Sequence, residues 1–149
     1  MKFFLKIEKA KAEYSNWLDE TIKKEFPYTE FTPNKIASRI TDPHFLILVA
    51  KQVNILTGFI ELELFLETKE ARLNAVFVES SWRGQHIGTR LVQQAINECK
   101  HKRIQRLFLL VKVENEAGKA LYKKNGLKFE KLHDKIIEGS QVEVWSMPV

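Results

Sequence analysis

Hydrophobic positions along the chain recur with two periods, and the switches between them predict the order of its elements. Lys2 to Lys9 alternates weakly and reads as a strand. From Tyr14 to Phe26 the side chains Tyr14, Trp17, Leu18, Thr21, Ile22 and Glu25 fall at helical spacing, with Pro27 as the stop. A second short helix is predicted between Pro33 and Thr41, ended by Asp42-Pro43. His44–Lys51 and Ile55–Leu66 are β-rich runs joined by a polar turn at Gln52-Val53-Asn54, as in an antiparallel hairpin. Arg72–Val78 supplies another strand. Between Gly88 and Lys102 the period becomes 3.6, with Leu91, Val92, Ala95, Ile96 and Cys99 on one face. Arg106–Val113 is the most continuous apolar strand. A helix over Glu116–Asn125 follows, closed by Gly126, with Lys123 and Lys124 where cations suit the helix dipole. Gln141–Pro148 alternates again. The order is β-α-α-β-β-β-α-β-α-β, a mixed α/β (α+β) fold whose sheet cannot be all parallel.

Composition narrows the class. The chain has 149 residues, 44% hydrophobic and 29% charged, with no linker-like or repeated segment; this predicts one domain over residues 1–149. The single cysteine, Cys99, excludes an internal disulfide framework and a cysteine-based zinc site. His44, His86, His101 and His133 lack metal-ligand spacing, so no metal is expected. No apolar run reaches membrane-spanning length, and Met1 to Lys11 is too charged for a signal peptide, so no membrane partner is expected and the cytoplasm is the expected compartment. The net charge of +5 suits an anionic partner, whether a phosphate-bearing cofactor or nucleic acid, and a lysine-rich solvated surface explains it equally.

One segment offers a reason for that charge. After the strand ending at Val78, two glycines, Gly84 and Gly88, stand beside Arg83 just before a helix. There, converging backbone N–H groups and the helix dipole would favour phosphate oxygens, and an ordinary strand-to-helix turn is the alternative reading. The segment is not a dinucleotide G-x-G-x-x-G, and the chain contains no Gly-Lys-Ser/Thr of a nucleotide P-loop.

Arg83-Gly84-Gln85-His86-Ile87-Gly88 resembles the R/Q-x-x-G-x-G/A signature of the GNAT superfamily of acetyl-CoA-dependent N-acetyltransferases, with His86 at its middle glycine. Asn115 to Leu127 is similar to the N-x-x-A-x-x-L-Y-x-x-x-G-F stretch of the same superfamily, with Leu127 in place of Phe. The two lie a strand and a helix apart, and the resemblance runs from about Phe45 to the C-terminus.

The resemblance implies acetyl-CoA as co-substrate and direct acetyl transfer to an amine. Phe77 and Val78 match positions where the fourth strand splays from the fifth, freeing backbone groups for the pantetheine and an N–H for the thioester oxygen. The loop Arg83, Gly84, Gln85, His86, Ile87, Gly88 and Thr89 would take the pyrophosphate, and Asn115 would contact the cofactor. Tyr122 matches the general acid that protonates the leaving thiolate; packing on the sheet is its structural alternative. A base is harder to place. The protein N-terminal acetylating branch carries a glutamate where Leu110 stands here. Glu61 and Glu63 on the third strand, or Glu79 after the fourth, are candidates acting through water, each with simple solvation as the alternative.

Glu61, Glu63, Glu67 and Glu70 suggest an acidic acceptor side suited to a small cationic amine. The competing readings are a protein or peptide N-acetyltransferase, a toxin-like enzyme acetylating aminoacyl-tRNA, and a CoA-binding module without turnover. Nucleic acid is the minority partner. The last strand, with Val142 and Val144 on one side and Trp145 and Met147 on the other, suits a homodimer interface or a core equally.

Overall fold

The computed structural model describes residues 4–26 and 33–149. Among these residues seven strands form one sheet: β1 (Leu5–Lys9), β2 (Phe45–Gln52), β3 (Ile55–Phe65), β4 (Glu70–Val78), β5 (Arg106–Lys112), β6 (Lys128–Ile137) and β7 (Ser140–Pro148), in the order β1-β2-β3-β4-β5-β7-β6. Among the described residues only β4 and β5 are parallel neighbours; the other strand pairs are antiparallel. Parallel neighbours require a long crossover connection, and here α3 (Ile87–His101) provides it.

Strand alternation divides the apolar residues between two faces. On one, α1 (Ser15–Glu25) and α2 (Pro33–Thr41) lay Leu18, Ile22 and Ile36 against Ile47, Val49, Phe59 and Phe77. On the other, Leu91, Val92, Ala95, Ile96 and Cys99 of α3 meet Leu48, Ile60, Leu62, Leu73 and Leu109, as their helical spacing predicts. The last helix, α4 (Glu116–Lys124), adds Tyr122 to this second cluster. Burying a Leu or Ile side chain contributes about 1.5–3 kcal/mol, so both faces are well anchored.

The decisive irregularity lies in β4. Leu62 stands opposite Leu73, but Glu61 stands opposite Ala75, so Asn74 is an extra residue in the strand, a β-bulge. A bulge bends its strand and sharpens the local twist. The β4–β5 ladder runs from Glu70↔Arg106 only to Leu73↔Leu109, and stops where the bulge begins. Beyond it β4 continues to Val78, while Leu110, Val111 and Lys112 of β5 pair only with β7. A wedge therefore opens between two strands in the middle of the sheet.

The predicted elements correspond to observed ones, with β4 starting at Glu70 rather than Arg72 and a 3₁₀ turn over Ala12–Tyr14 leading into α1. Lys2 and Phe3 of the predicted first strand, and Pro27 as the helix stop, lie outside the described residues. One correction is needed: the predicted order omits β6. This edge strand has no buried face, and shifts between Phe129 and Lys131 and between His133 and Ile136 break its alternation. Its turn into β7 places Glu138 and Gly139 both at positive φ, as a tight two-residue hairpin requires.

Candidate active site

Three elements meet at the open end of the wedge. Glu79 N–H reaches back to Thr57 O on β3, whereas the carbonyl of Val78 accepts from Arg83 Nε at 2.9 Å. Backbone groups alternate direction along a strand, so the N–H and C=O of Val76 and Val78 point across the wedge, away from β3. Those of Phe77 turn to its partner Phe59, and the Phe77 side chain is buried under α1 and α2. The expectation for this strand changes in one position: Val78 keeps a free N–H while Arg83 takes its carbonyl, and Val76, two residues earlier, rather than Phe77, turns its backbone groups away from β3. Period-two alternation back from Val78 is the signal that could have found it.

The loop after β4 contains a 3₁₀ turn, Ser80–Trp82, and then Arg83 to His86. Gly84 sits at φ 80°, a left-handed conformation that glycine adopts at no steric cost. His86 sits at φ 63° and ψ 21°, also left-handed, for which a residue with a Cβ is penalised by roughly 1–2 kcal/mol. The backbone thus keeps the shape that the signature's glycine would give it. The first intrahelical bond of α3 is Arg90 N–H to His86 C=O, so the N–H groups of Ile87, Gly88 and Thr89 carry no helical partner. No acidic residue occupies the first turn of α3, and Lys124 Nζ lies 3.4 Å from His86 Nδ1. Unpaired amides, a helix dipole and the Lys124 cation are the groups that favour an anion such as a phosphate. At Gly88 a Cβ would lie 3.5 Å from Leu121 and 3.8 Å from Val78, so α3, α4 and the end of β4 converge here. Gln85 is exposed on the same loop.

On the far side of the wedge, Asn115 caps α4, its Oδ1 accepting from Gly118 N–H at 2.9 Å. A Cβ at Gly118 would come within 2.7 Å of Asn115 Nδ2, so the capping side chain would have to shift to admit one. The carboxamide oxygen of Asn115 is therefore structural; any contact with a cofactor falls to its Nδ2. Tyr122, 9% exposed, belongs to the same cluster as Leu109, Val111 and Trp145, on the β5 side of the wedge.

The candidate bases separate. Glu61 is 1% exposed, and its carboxylate accepts from Arg39 Nη1 at 2.9 and 3.2 Å and from Asn74 Nδ2 at 3.0 Å. Burial pushes its carboxyl above the usual range, against the pull of Asn74 and Arg39. Solvation, the simple alternative for this residue, is ruled out. Glu63 accepts from Arg72 Nη2 at 2.8 Å, and Glu70 from Arg106 Nη1 at 2.7 Å. Glu67 and Glu70 also lie at the paired end of β4; with a rise of about 3.3 Å per residue, Glu70 is roughly 25 Å along the strand from Val78. The four glutamates do not form an acidic entrance. Glu79 stands at the open end, part-exposed and next to Val78. Cys99 is buried in the core, its thiol pushed up to about 11 by burial, which removes it as a nucleophile.

Among the described residues, no group of three His, Cys, Asp or Glu side chains is placed to hold a metal, and no helix is long and apolar enough to cross a membrane.

Comparison with known proteins agrees with this geometry. A Bacillus subtilis (strain 168) protein described as "Putative [ribosomal protein bS18]-alanine N-acetyltransferase" is 30% identical over 88 residues, 59% of this chain; the match spans 57% of that relative's length. The crystal structure of the ribosomal-protein-S18-alanine N-acetyltransferase from Escherichia coli has the same fold, with TM-score 0.82 and 18% identity over 98% of this chain and 94% of that one. So does the PaiA N-acetyltransferase from Thermoplasma acidophilum in complex with coenzyme A, with TM-score 0.73 and 23% identity over 95% and 98%. The pattern of the Acetyltransferase (GNAT) family matches residues 9–127, a span that holds the bulged β4, the anion loop and Tyr122, and the chain belongs to that family of N-acetyltransferases.

Proposed function

We propose that this enzyme transfers acetyl from acetyl-CoA directly to the terminal amine of a polypeptide. The observation that carries this reading is the state of the candidate bases: Glu61 is held by Arg39 and Asn74, and Glu63 by Arg72. Glu79 is the one carboxylate of the three considered that no arginine engages among the described residues. An α-amine with pKa near 8 is roughly one-tenth unprotonated at pH 7, whereas an alkyl amine near 10.4 is unprotonated in only about one molecule in 2,500. A site with so little base suits the first acceptor. A polyvalent cation would also need acidic residues that arginines neutralise here. The likeness to a relative named for alanine N-acetylation points the same way.

Acetyl-CoA supplies a thioester whose carbonyl carbon the amine attacks. The N–H groups of Val76 and Val78 face the wedge and would donate to the oxygen as it gains negative charge. Arg83, Gln85, His86 and the free amides of Ile87, Gly88 and Thr89 would hold the phosphates, with Gly84 shaping the turn and Asn115 Nδ2 available to the pantetheine. Tyr122, a phenol protonated at neutral pH, would give its proton to the departing thiolate. Glu79 would accept the proton of the attacking amine through water. Glu61 enters as a holder of Asn74, since three N–H contacts occupy its oxygens.

The test is product analysis. Peptides beginning with an uncharged residue and carrying an internal lysine are incubated with enzyme and acetyl-CoA, and the modified nitrogen is located by mass spectrometry. Acetyl on the α-amine is expected. Acetyl on lysine only, or on polyamines but on no peptide, would overturn the reading.

A further inference from the structure

At the apex of the wedge, five side chains from α2, β3 and β4 form one continuous network. Arg39 Nη1 donates to Glu61; Asn74 Nδ2 donates to the same carboxylate at 3.0 Å; Asn74 Oδ1 accepts from Arg72 Nε at 2.8 Å; and Arg72 Nη2 donates to Glu63 at 2.8 Å. Its middle member, Asn74, is the bulge residue itself, and it is the first residue of β4 past the last rung to β5. Burying a carboxylate as deeply as Glu61 opposes folding unless its oxygens are filled, and an apolar contact at this site would serve stability as well or better. The arrangement also demands one chemistry. A carboxamide can donate to a carboxylate and accept from a guanidinium at once, whereas an aspartate offers only acceptors and a leucine neither. The bulge decides where Val76 and Val78 point, because one extra residue inverts the alternation of every backbone group beyond it.

We propose that Asn74 is a positioning residue for acetyl transfer: clamped between Glu61 and Arg72, its carboxamide fixes the β4 bulge and so aims the free N–H groups of Val76 and Val78 at the thioester carbonyl. Asn74 touches no reacting atom in this scheme. The proposal rests on the acetyltransferase reading above and adds a residue to the same site.

The test reverses the polarity of the clamp. In Asn74→Asp, two acceptors face each other across the contact with Glu61. In the double variant Glu61→Gln with Asn74→Asp, the amide introduced at position 61 donates to the carboxylate introduced at position 74. Arg72 then keeps its acceptor, Arg39 keeps the oxygen it meets at 3.2 Å while the one it shares with Asn74 at 2.9 Å becomes the amide nitrogen, and the net charge is that of the wild type. Thiol release gives kcat and KM, and calorimetry gives the dissociation constant of acetyl-CoA. Displacing an oxyanion donor by a fraction of its bond length is expected to lower kcat about 10–100-fold in N74D, with acetyl-CoA affinity within about threefold, because the anion loop is untouched. The double variant is expected to recover kcat to within about threefold of wild type, the non-additivity that a direct contact produces. A kcat for N74D within about twofold of wild type, a loss of affinity as large as the loss of kcat, or a double variant no better than N74D would each overturn the proposal. If N74D does not fold, Asn74→Ser carries the same readouts. If the wild type releases no thiol with any acceptor, the acetyltransferase reading fails by itself. The clamp is then judged by the amide 15N shifts of Val76 and Val78 on adding acetyl-CoA: present in wild type, lost in N74D and regained in the double variant if the proposal holds, alike in all three if it does not.

Discussion

Tyr122 combines two properties that would ordinarily argue for different roles: it is packed in the core behind α4, and it lies beside the wedge where a thiolate would leave. Phenylalanine keeps the ring and removes the hydroxyl. Tyr122→Phe should leave acetyl-CoA affinity within about threefold by calorimetry and lower turnover by about 100-fold or more, the usual yield of a positioned general acid; equal rates in variant and wild type would remove Tyr122 from the chemistry. Elsewhere single residues carry strain or burial that a sequence pattern does not display. Val53 holds φ 58° in the turn between β2 and β3, a conformation hard on a β-branched side chain, and it is exposed. Val53→Asn should raise the melting temperature by about 2–4 °C. Asp19 is buried with Oδ1 unpartnered, and burial raises its pKa, with Lys23 opposing. A pKa raised by folding means stability that is complete below the unfolded value of 3.8 and declines as pH rises through the folded one. Asp19→Asn should therefore stabilise the protein at pH 7 and change little at pH 3, as urea unfolding at the two pH values would show. Glu61 shows why residue-level environments are hard to read from the chain. Its alternation with Glu63 is visible there, but the arginine that engages it comes from a helix 22 residues away.

Elements are largely legible because their signals are local: α3 by its apolar face, α4 by Gly126 and the lysines before it, the β2–β3 hairpin by two β-rich runs around a polar turn. The edge strand β6 is not, because a strand with no buried face and two bulges has no period to detect. Nor is the bulge in β4, since Asn74 sits in an otherwise ordinary apolar run and the extra residue appears only when β3 is laid beside it. The wedge, the feature on which function depends, thus came from family resemblance and not from periodicity. Asn115 joins its role in the element to a candidate role at the cofactor, and one substitution separates them. Asn115→Asp keeps the cap oxygen and adds a favourable charge at the helix N-terminus, so melting temperature should hold or rise. If Asn115 Nδ2 also meets the pantetheine, acetyl-CoA affinity should fall by about tenfold, the cost of about 1.4 kcal/mol; unchanged affinity would confine Asn115 to the cap.

For the whole molecule, two of the basic residues stand around the loop after β4: Lys124 meets His86 at the amino end of α3 and Arg83 meets the carbonyl of Val78, while the acidic residues of β3 and β4 are engaged by arginines and do not line an entrance. Net charge by itself favours nucleic acid no less than a phosphate cofactor, and only the coincidence of a wedge, a left-handed loop and unpaired helix amides separates the two. The central claim is that this arrangement acetylates a weakly basic terminal amine with little help from a base. Initial rates of thiol release from acetyl-CoA, measured between pH 6 and 9 with an alanine-leading peptide and with a polyamine, test it most directly. The expected result is a kcat/KM at least about tenfold higher for the peptide at pH 7, rising with pH until the α-amine is deprotonated near pH 8. Turnover of the polyamine alone would contradict it.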